Sequence, residues 1–353
     1  MDDVPTNGPR GAAVVRLAVA ITLIAIVACG PSKRQSTPTI HDLGGHTMGS
    51  TWSVRVVGPP DLDEVALRAQ IDAQLDELDR QLSGYRDAAE LSRLNHAAVG
   101  EWRAAAPYLA TVIRFGQSLH DESGGAFDLT VRPLVNVWGF GAPGRRTTLP
   151  SADEIESARA RLGSDRIEFS DDAARVRRTA DVAADVDAIA PGYATDIVAA
   201  WLASQGLPNH LVEIGGELHA SGRRPDGQQW QIGIERPTLQ RSGMQRVIRV
   251  TDCGVSTSGD YRAVEELDGK RYSHTIDPAT GRPVDHALAS VTVIAPSGLE
   301  ADGYATTMMV LGPERGLAWA DARGVAAYMI VRNDAGGLVE RFNAAFEPLL
   351  VAD

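Results

Sequence analysis

The stretch QWQIGIE, residues 229–235, sets Trp230, Ile232 and Ile234 on one side of the chain and polar residues or glycine on the other. A strict two-residue period is the pattern of a strand with one buried face. Further strand-like runs are TWSVRVVG at 51–58, HLVEIGG at 210–216, RVIRV at 246–250, ASVTVIA at 289–295 and VAAYMIV at 325–331. Stretches of helical period lie among them. Asp61 and Glu64 have the spacing of a capping box, and Ile71, Leu75, Leu78 and Leu82 follow on one face. Helices are also expected over 104–120, with Tyr108, Val112 and Phe115 inward, over 192–203 and over 299–311. Strands and helices do not alternate one for one, as they do in a doubly wound parallel sheet. The pattern predicts an α+β fold, a single domain of mixed or antiparallel sheet flanked by helices.

The chain has 353 residues, 44% of them apolar, which is enough for a sizeable core. Its net charge is −12 and no stripe of Lys and Arg runs through it, so nucleic acid is excluded as a partner. Near the start, Arg10 and Arg16 precede or open an uncharged run from Leu17 to Ala28. That run falls short of the about 20 residues that cross a membrane and fits the apolar part of a secretory signal. It closes on Ile26-Val27-Ala28-Cys29, which resembles a bacterial lipobox. The resemblance implies a signal peptide over 1–28, cleavage before Cys29 and a lipid on its sulfur. An ordinary signal peptide with an incidental cysteine is the alternative. Residues 29–42 then read as a polar linker and 43–353 as the domain. The expected place is outside the cytoplasm, lipid-anchored to a bacterial membrane and facing the periplasm or the cell exterior. Cys253 is the other cysteine of the sequence, and once Cys29 is lipidated it has no thiol to pair with. It reads as a buried structural residue at a strand end.

Several common sites are missing from the sequence. There is no G-x-x-x-x-G-K-[ST] loop and no H-E-x-x-H. GVSTSG at 254–259 has its serines at the wrong offset for a nucleophile elbow. What the chain has instead is a series of glycine and acid stations: MGST at 48–51, the long loop-like segment GGAFDLTVRPLVNVWGFG at 124–141, DVDAIAPGYATD at 185–196 and EIGGE at 213–217. Paired glycines let backbone N–H groups approach an anion, and a helix N-terminus adds a favourable dipole. Together they suggest a phosphorylated ligand, although each glycine pair alone also suits an ordinary turn. Asp302 and Thr306 are four residues apart and share one face of the expected helix. A carboxylate and a hydroxyl are oxygen ligands of the kind Mg²⁺ takes. The same spacing also describes a helix-terminal Asp and a solvated Thr. In RYSHTIDPATGRPV at 271–284, His274 ends a short polar strand just before a Pro-containing turn, a position suited to proton transfer.

In order along the chain, MGST, YRDAAELSRLN, AFDLTVRPLVNVWGFG, DVDAIAPGYATD, EIGGE, TSGDYR, YSHTIDPATGRPV and EADGYATT resemble the ApbE-type FAD:protein FMN transferases. The likeness covers about residues 43 to 350. It implies a single ApbE-like domain that moves FMN from FAD to a Thr or Ser hydroxyl of an acceptor protein and releases AMP. Asp302 and Thr306 match the Mg²⁺ side-chain ligands, and the backbone carbonyl of Ala188 matches a third. Met48, Tyr85, Ala126, Phe127, Asp128, Asp185, Pro191 and Ile276 match positions that contact FAD. His274 matches the proposed base; histidine, with an ordinary pKa of about 6.5, suits that role. Two positions depart from the pattern: many members have Lys where Pro191 stands, and some have Asp where Ala305 stands. The implied partner is a membrane-associated electron-transfer protein with a D-G-x-[ST]-[GS]-A-T motif, of which residues 302–306 here are only a shortened echo. The same site would also serve an Mg²⁺-dependent FAD pyrophosphatase, with water as the nucleophile, or a flavin-binding lipoprotein without catalysis.

Overall fold

Eight strands make the main sheet: β1 (Thr39–Thr47), β2 (Ser50–Gly58), β3 (His210–Ile214), β4 (Glu217–Ser221), β5 (Cys253–Gly259), β6 (Leu288–Ala295), β7 (Ala326–Arg332) and β8 (Leu338–Phe342). Their order in space is their order in the chain, and each neighbouring pair is antiparallel. This computed structural model describes residues 37–351, apart from 142, 239–242, 262, 263 and 268. The expected signal segment, the lipobox and Cys29 lie outside the described residues. Four longer helices accompany the sheet: α1 (Glu64–Leu82), α2 (Pro107–Ser123), α3 (Ala190–Ser204) and α4 (Gly298–Asp321). Among the described residues no helix is long and apolar enough to cross a membrane.

Burial explains the strand patterns. The run VAAYMIV lacks alternation because both faces of β7 are covered. Tyr328 and Ile330 join one apolar cluster, while Ala327, Met329 and Val331 join another against α4. QWQIGIE alternates because it is not in the main sheet. Residues Trp230–Glu235 pair with Met244–Val250 as a separate ribbon. Trp230, Ile232 and Ile234 face Leu211, Val255 and Tyr328 of the main sheet, and the other side of the ribbon meets solvent. The opposite face of β2 and β3 carries Trp52, Val54 and Val212 into a larger core with Ile71 and Leu75 of α1, Val112 of α2 and Val198 of α3.

Four expectations need correction. The β1–β2 ladder opens at Thr39 paired with Gly58, so strand structure begins ahead of residue 43. Asp63, not Asp61, caps α1, its carboxylate accepting the Ala66 N–H at 3.0 Å. Glu64 is then the first helical residue and not the third, so it forms no capping box, and its carboxylate meets His41 Nδ1 across on β1 at 2.7 Å. The segment 124–141 is not all loop: Arg132–Val137 is a short helix with Pro at its start. The helix expected to end at 311 breaks at Gly312, where φ is 79°, and continues to Asp321. Cys253, as expected, is buried at the start of β5. Burial first, and the charge of Asp252 second, push its thiol up to about 11.

The N-termini of α3 and α4 touch at two glycines. A Cβ on Gly192 would lie 2.3 Å from the Gly298 carbonyl oxygen, and one on Gly298 would lie 2.4 Å from the Gly192 carbonyl oxygen. Gly254 of β5 presses against the same point, since its Cβ would come within 2.3 Å of the Gly298 nitrogen. No other side chain permits this approach.

His210 on β3 is fully buried. Its Nδ1–H donates to the Leu207 carbonyl at 2.8 Å, which leaves Nε2 without a hydrogen, and among the described residues Nε2 has no hydrogen-bond partner. Burial pushes this imidazole down to about 4. The unfolded chain therefore takes up a proton near pH 6.5 that the folded chain refuses until about pH 4. Stability is expected to fall as pH drops through that window, by up to about 3 kcal/mol from this group. Chemical denaturation between pH 7 and 4 checks this: His210→Gln should flatten the slope, and an unchanged slope would contradict it.

Candidate active site

A cavity of about 440 Å³ opens where the first half of α4, the end of β5, the segment 126–141, the segment 185–188 and the turn after His274 come together. Three corners differ in chemistry.

The first corner is acidic and buried. Asp302 lies in the second turn of α4, only 5% exposed. Its Oδ2 accepts the N–H of Gly192 at 3.0 Å, which the glycine crossing brings into reach. The Ser256 hydroxyl stands 3.4 Å from Asp302 Oδ1 and 3.3 Å from Glu217 Oε1. Thr306, one turn along, has its hydroxyl 3.5 Å from that of Ser258. Ala188 lines the cavity just ahead of α3. Burial, and next the charge of Glu217, hold the Asp302 carboxyl well above the usual carboxylate range. Its ionised form is thus penalised in the absence of a nearby positive charge. Among the described residues, no group of three or more His, Cys, Asp or Glu converges as a metal site. A magnesium ion fits the donors present, since it is bound through one or two carboxylates and other oxygens, with water and substrate phosphate completing its shell.

The second corner is a charged brace. Arg132 Nε donates to Asp185 Oδ2 at 3.0 Å, and its Nη1 donates to the Gly84 carbonyl at 3.3 Å. Its guanidinium lies 5.1 Å from the centre of the Tyr85 ring. Burial lowers the Arg132 pKa, but Asp185 and Asp187 outweigh it and the net direction is upward. The Tyr85 hydroxyl donates to Asp187 Oδ2 at 2.8 Å, while most of its ring is exposed. An exposed ring held by its hydroxyl is free to stack on a flat ligand. Asp187 reaches the cavity mouth, and its carboxyl is pushed up to about 6, by desolvation first and by the charge of Asp185 second.

The third corner carries His274. The ring is exposed at the cavity wall, with Phe140 edge-on at 6.4 Å between ring centres. The turn beyond it is tightly built. The Gly281 N–H donates to the Asp277 carbonyl at 2.8 Å and the Val284 N–H to the Thr275 carbonyl at 3.0 Å. Trp138 anchors the turn from the other side, its indole N–H donating to the Gly281 carbonyl at 2.8 Å. Ile276 is buried with Leu134, Trp138 and Ile155 in a small apolar cluster of its own.

Of the residues expected from sequence, Tyr85, Ala126, Phe127, Asp128, Asp185, Ala188, His274, Ile276, Asp302 and Thr306 all line this one cavity. Met48 and Pro191 do not. Met48 sits at the tip of the β1–β2 hairpin with φ of 45°, and Pro191 is in the first turn of α3 facing the Gly215 turn. Asp128 is occupied within the protein: Oδ1 accepts the Thr130 N–H and hydroxyl and the Ser164 hydroxyl, at 2.7, 2.5 and 2.9 Å. Its carboxylate shapes the wall. Ala305 is fully buried with Met308 and Val293, so its side chain belongs to the core. Arg132, Asp187, Glu217 and Ser258 also line the cavity and were not singled out from sequence. The signal for Arg132 was one charge inside the apolar run TVRPLVNVWGF. Asp187 stands two residues after Asp185, and Glu217 closes EIGGE.

Residues 48–329 match the ApbE family. A protein named FAD:protein FMN transferase from Klebsiella pneumoniae (strain 342) is 40% identical over 309 residues, covering 87% of this chain and 88% of that one. One of the same name from Vibrio cholerae is 40% identical over 309 residues, covering 87% and 92%. The solved apo form of the Pseudomonas stutzeri flavinyl transferase ApbE superposes with a TM-score of 0.81 at 42% identity, over 90% of this chain and 98% of that one. The flavin transferase ApbE from Vibrio cholerae also gives 0.81, at 39% identity, over 89% and 100%. The chain belongs to the ApbE family.

The Trp138–Gly281 bond predicts that Trp138→Phe loosens the His274 turn while the rest of the chain stays folded. Hydrogen–deuterium exchange of the 271–284 peptide should rise at least about tenfold, and unchanged protection there would refute the anchor.

Proposed function

We propose that this chain transfers FMN from FAD to a Thr or Ser hydroxyl of an acceptor protein, with AMP as the leaving group. The observation that carries the reading is the convergence of the Asp302–Thr306 pair and His274 on one cavity whose mouth offers an exposed tyrosine ring. The relatives named FAD:protein FMN transferase support it.

The chemistry follows from these groups. Asp302, Thr306 and the Ala188 carbonyl would hold Mg²⁺, which when bound offsets the pyrophosphate charge and orients the phosphorus. Tyr85 presents its ring to a flat part of FAD. His274 takes the proton from the acceptor hydroxyl as its oxygen bonds to the FMN phosphorus. The bond from that phosphorus to the bridging oxygen breaks, and AMP departs with that oxygen. Holding hydroxyl and phosphorus together removes much of the entropic barrier.

The acceptor is proposed to carry the D-G-x-[ST]-[GS]-A-T motif and to be membrane-associated. Anchoring through a lipid on Cys29 would place the enzyme at the same surface. Cys29→Ser should shift the chain from the membrane to the soluble fraction, and unaltered membrane association would count against the anchor.

Intact-mass spectrometry of an acceptor bearing the motif, incubated with the chain, FAD and Mg²⁺, tests the reaction. An FMN-sized gain matched by AMP is expected. His274→Ala should keep FAD binding and lose transfer by roughly 10²-fold or more. AMP without a mass gain would make the chain a pyrophosphatase, and bound FAD without AMP would make it a flavin carrier.

A further inference from the structure

We propose that Asp196 and His219 are positioning residues for the metal corner: they set the carboxylate of Asp302 by pinning the start of the helix that bears it. The inference rests on the function proposed above.

Asp196 lies one turn along α3 from Gly192. Its Oδ1 accepts the N–H of Gly298 at 2.6 Å and its Oδ2 accepts the N–H of Leu299 at 2.9 Å. These are first-turn amides with no carbonyl inside their own helix. Ser297 and Glu300 form a capping box on the two flanking amides, their own, so the side chain from α3 adds a second, external clamp. Asp302 follows Gly298 by one helical turn, so its oxygens move rigidly with that first turn. Its Oδ2 in turn accepts the Gly192 N–H on α3.

Asp196 is itself held. His219 of β4 donates from Nδ1 to Asp196 Oδ1 at 2.6 Å, and both side chains are 17% exposed. Neither residue lines the cavity. They therefore act through the placement of Asp302 and do not touch a ligand. Asn at 196 keeps the size and loses one of the two acceptors, so Gly298 or Leu299 goes unpaired. A small cation that demands near-ideal oxygen geometry is sensitive to the resulting shift. A flat ring stacked on Tyr85 is not.

The test is Mn²⁺ binding to the purified chain, followed by the electron paramagnetic resonance of free Mn²⁺. FAD affinity in chelator and melting temperature are measured alongside. Asp196→Asn should raise the Mn²⁺ dissociation constant by about 10- to 100-fold, the range typical of groups that orient a metal ligand, while FAD affinity in chelator changes less than about twofold. His219→Gln should show the same split to a smaller degree, and it decides the matter if Asp196→Asn does not fold. Variants that melt lower yet bind Mn²⁺ like the parent chain would overturn the inference alone. A parent chain that takes up no Mn²⁺ would overturn the metal corner itself and the inference with it, a different and separable result.

Discussion

Two helices in this protein cap each other. Asp196 of α3 closes the first amides of α4, and Asp302 of α4 closes the Gly192 amide of α3. Each such bond sets a carboxyl oxygen against otherwise unpaired N–H groups at a helix start, a stabilising arrangement of order 1 kcal/mol per cap. The exchange works only because glycines at 192, 254 and 298 bring the backbones into contact. Every group on that side of the cavity hangs from this crossing: Ala188 ahead of α3, Asp302 and Thr306 on α4, and Ser256 and Ser258 on β5 beneath.

The three corners divide the work by environment. Around Asp302 the protein keeps carboxylates close together and dry, so a bare negative charge there is disfavoured. Around Arg132 it balances two carboxylates with one guanidinium and leaves a tyrosine ring open to solvent. Around His274 it fixes a short turn on a separate apolar cluster through Trp138 and Ile276. An imidazole at the edge of the cavity suits the proton transfer proposed for it.

Much of the fold was legible from side-chain period. The strand with alternating Trp230, Ile232 and Ile234 has one dry face, and the unbroken run of β7 has two. Strand order was not legible, since nothing local in β4 says that its partner is β5 across the intervening ribbon. The cap of α1 is Asp63 rather than Asp61, and Glu64 is met by His41, a residue distant in sequence. Most of the cavity wall followed from short motifs taken together. Arg132 escaped notice because its charge is neutralised by residues elsewhere in the chain, and Glu217 because its nearness to Asp302 is created by the sheet and α4. Met48 and Pro191 show the reverse case, positions implied by likeness that the backbone here directs to a hairpin tip and a helix start away from the cavity wall.

The meander of the main sheet has a kinetic consequence. Pairing is between chain neighbours throughout, except that β2 and β3 must meet across residues 59–209. Strands β3 to β8 close over shorter separations, whereas β2 and β3 close a long loop whose entropy must be spent before the contact repays it. Tyr85, Asp128, Arg132 and Asp187 belong to that loop, and Asp302 and His274 come after it. A newly made chain can thus assemble most of its sheet while its cavity has only one wall. The capacity to hold a flavin nucleotide arrives last, with the final docking step, so an incompletely folded chain would expose its acidic corner without the partner wall that makes it selective.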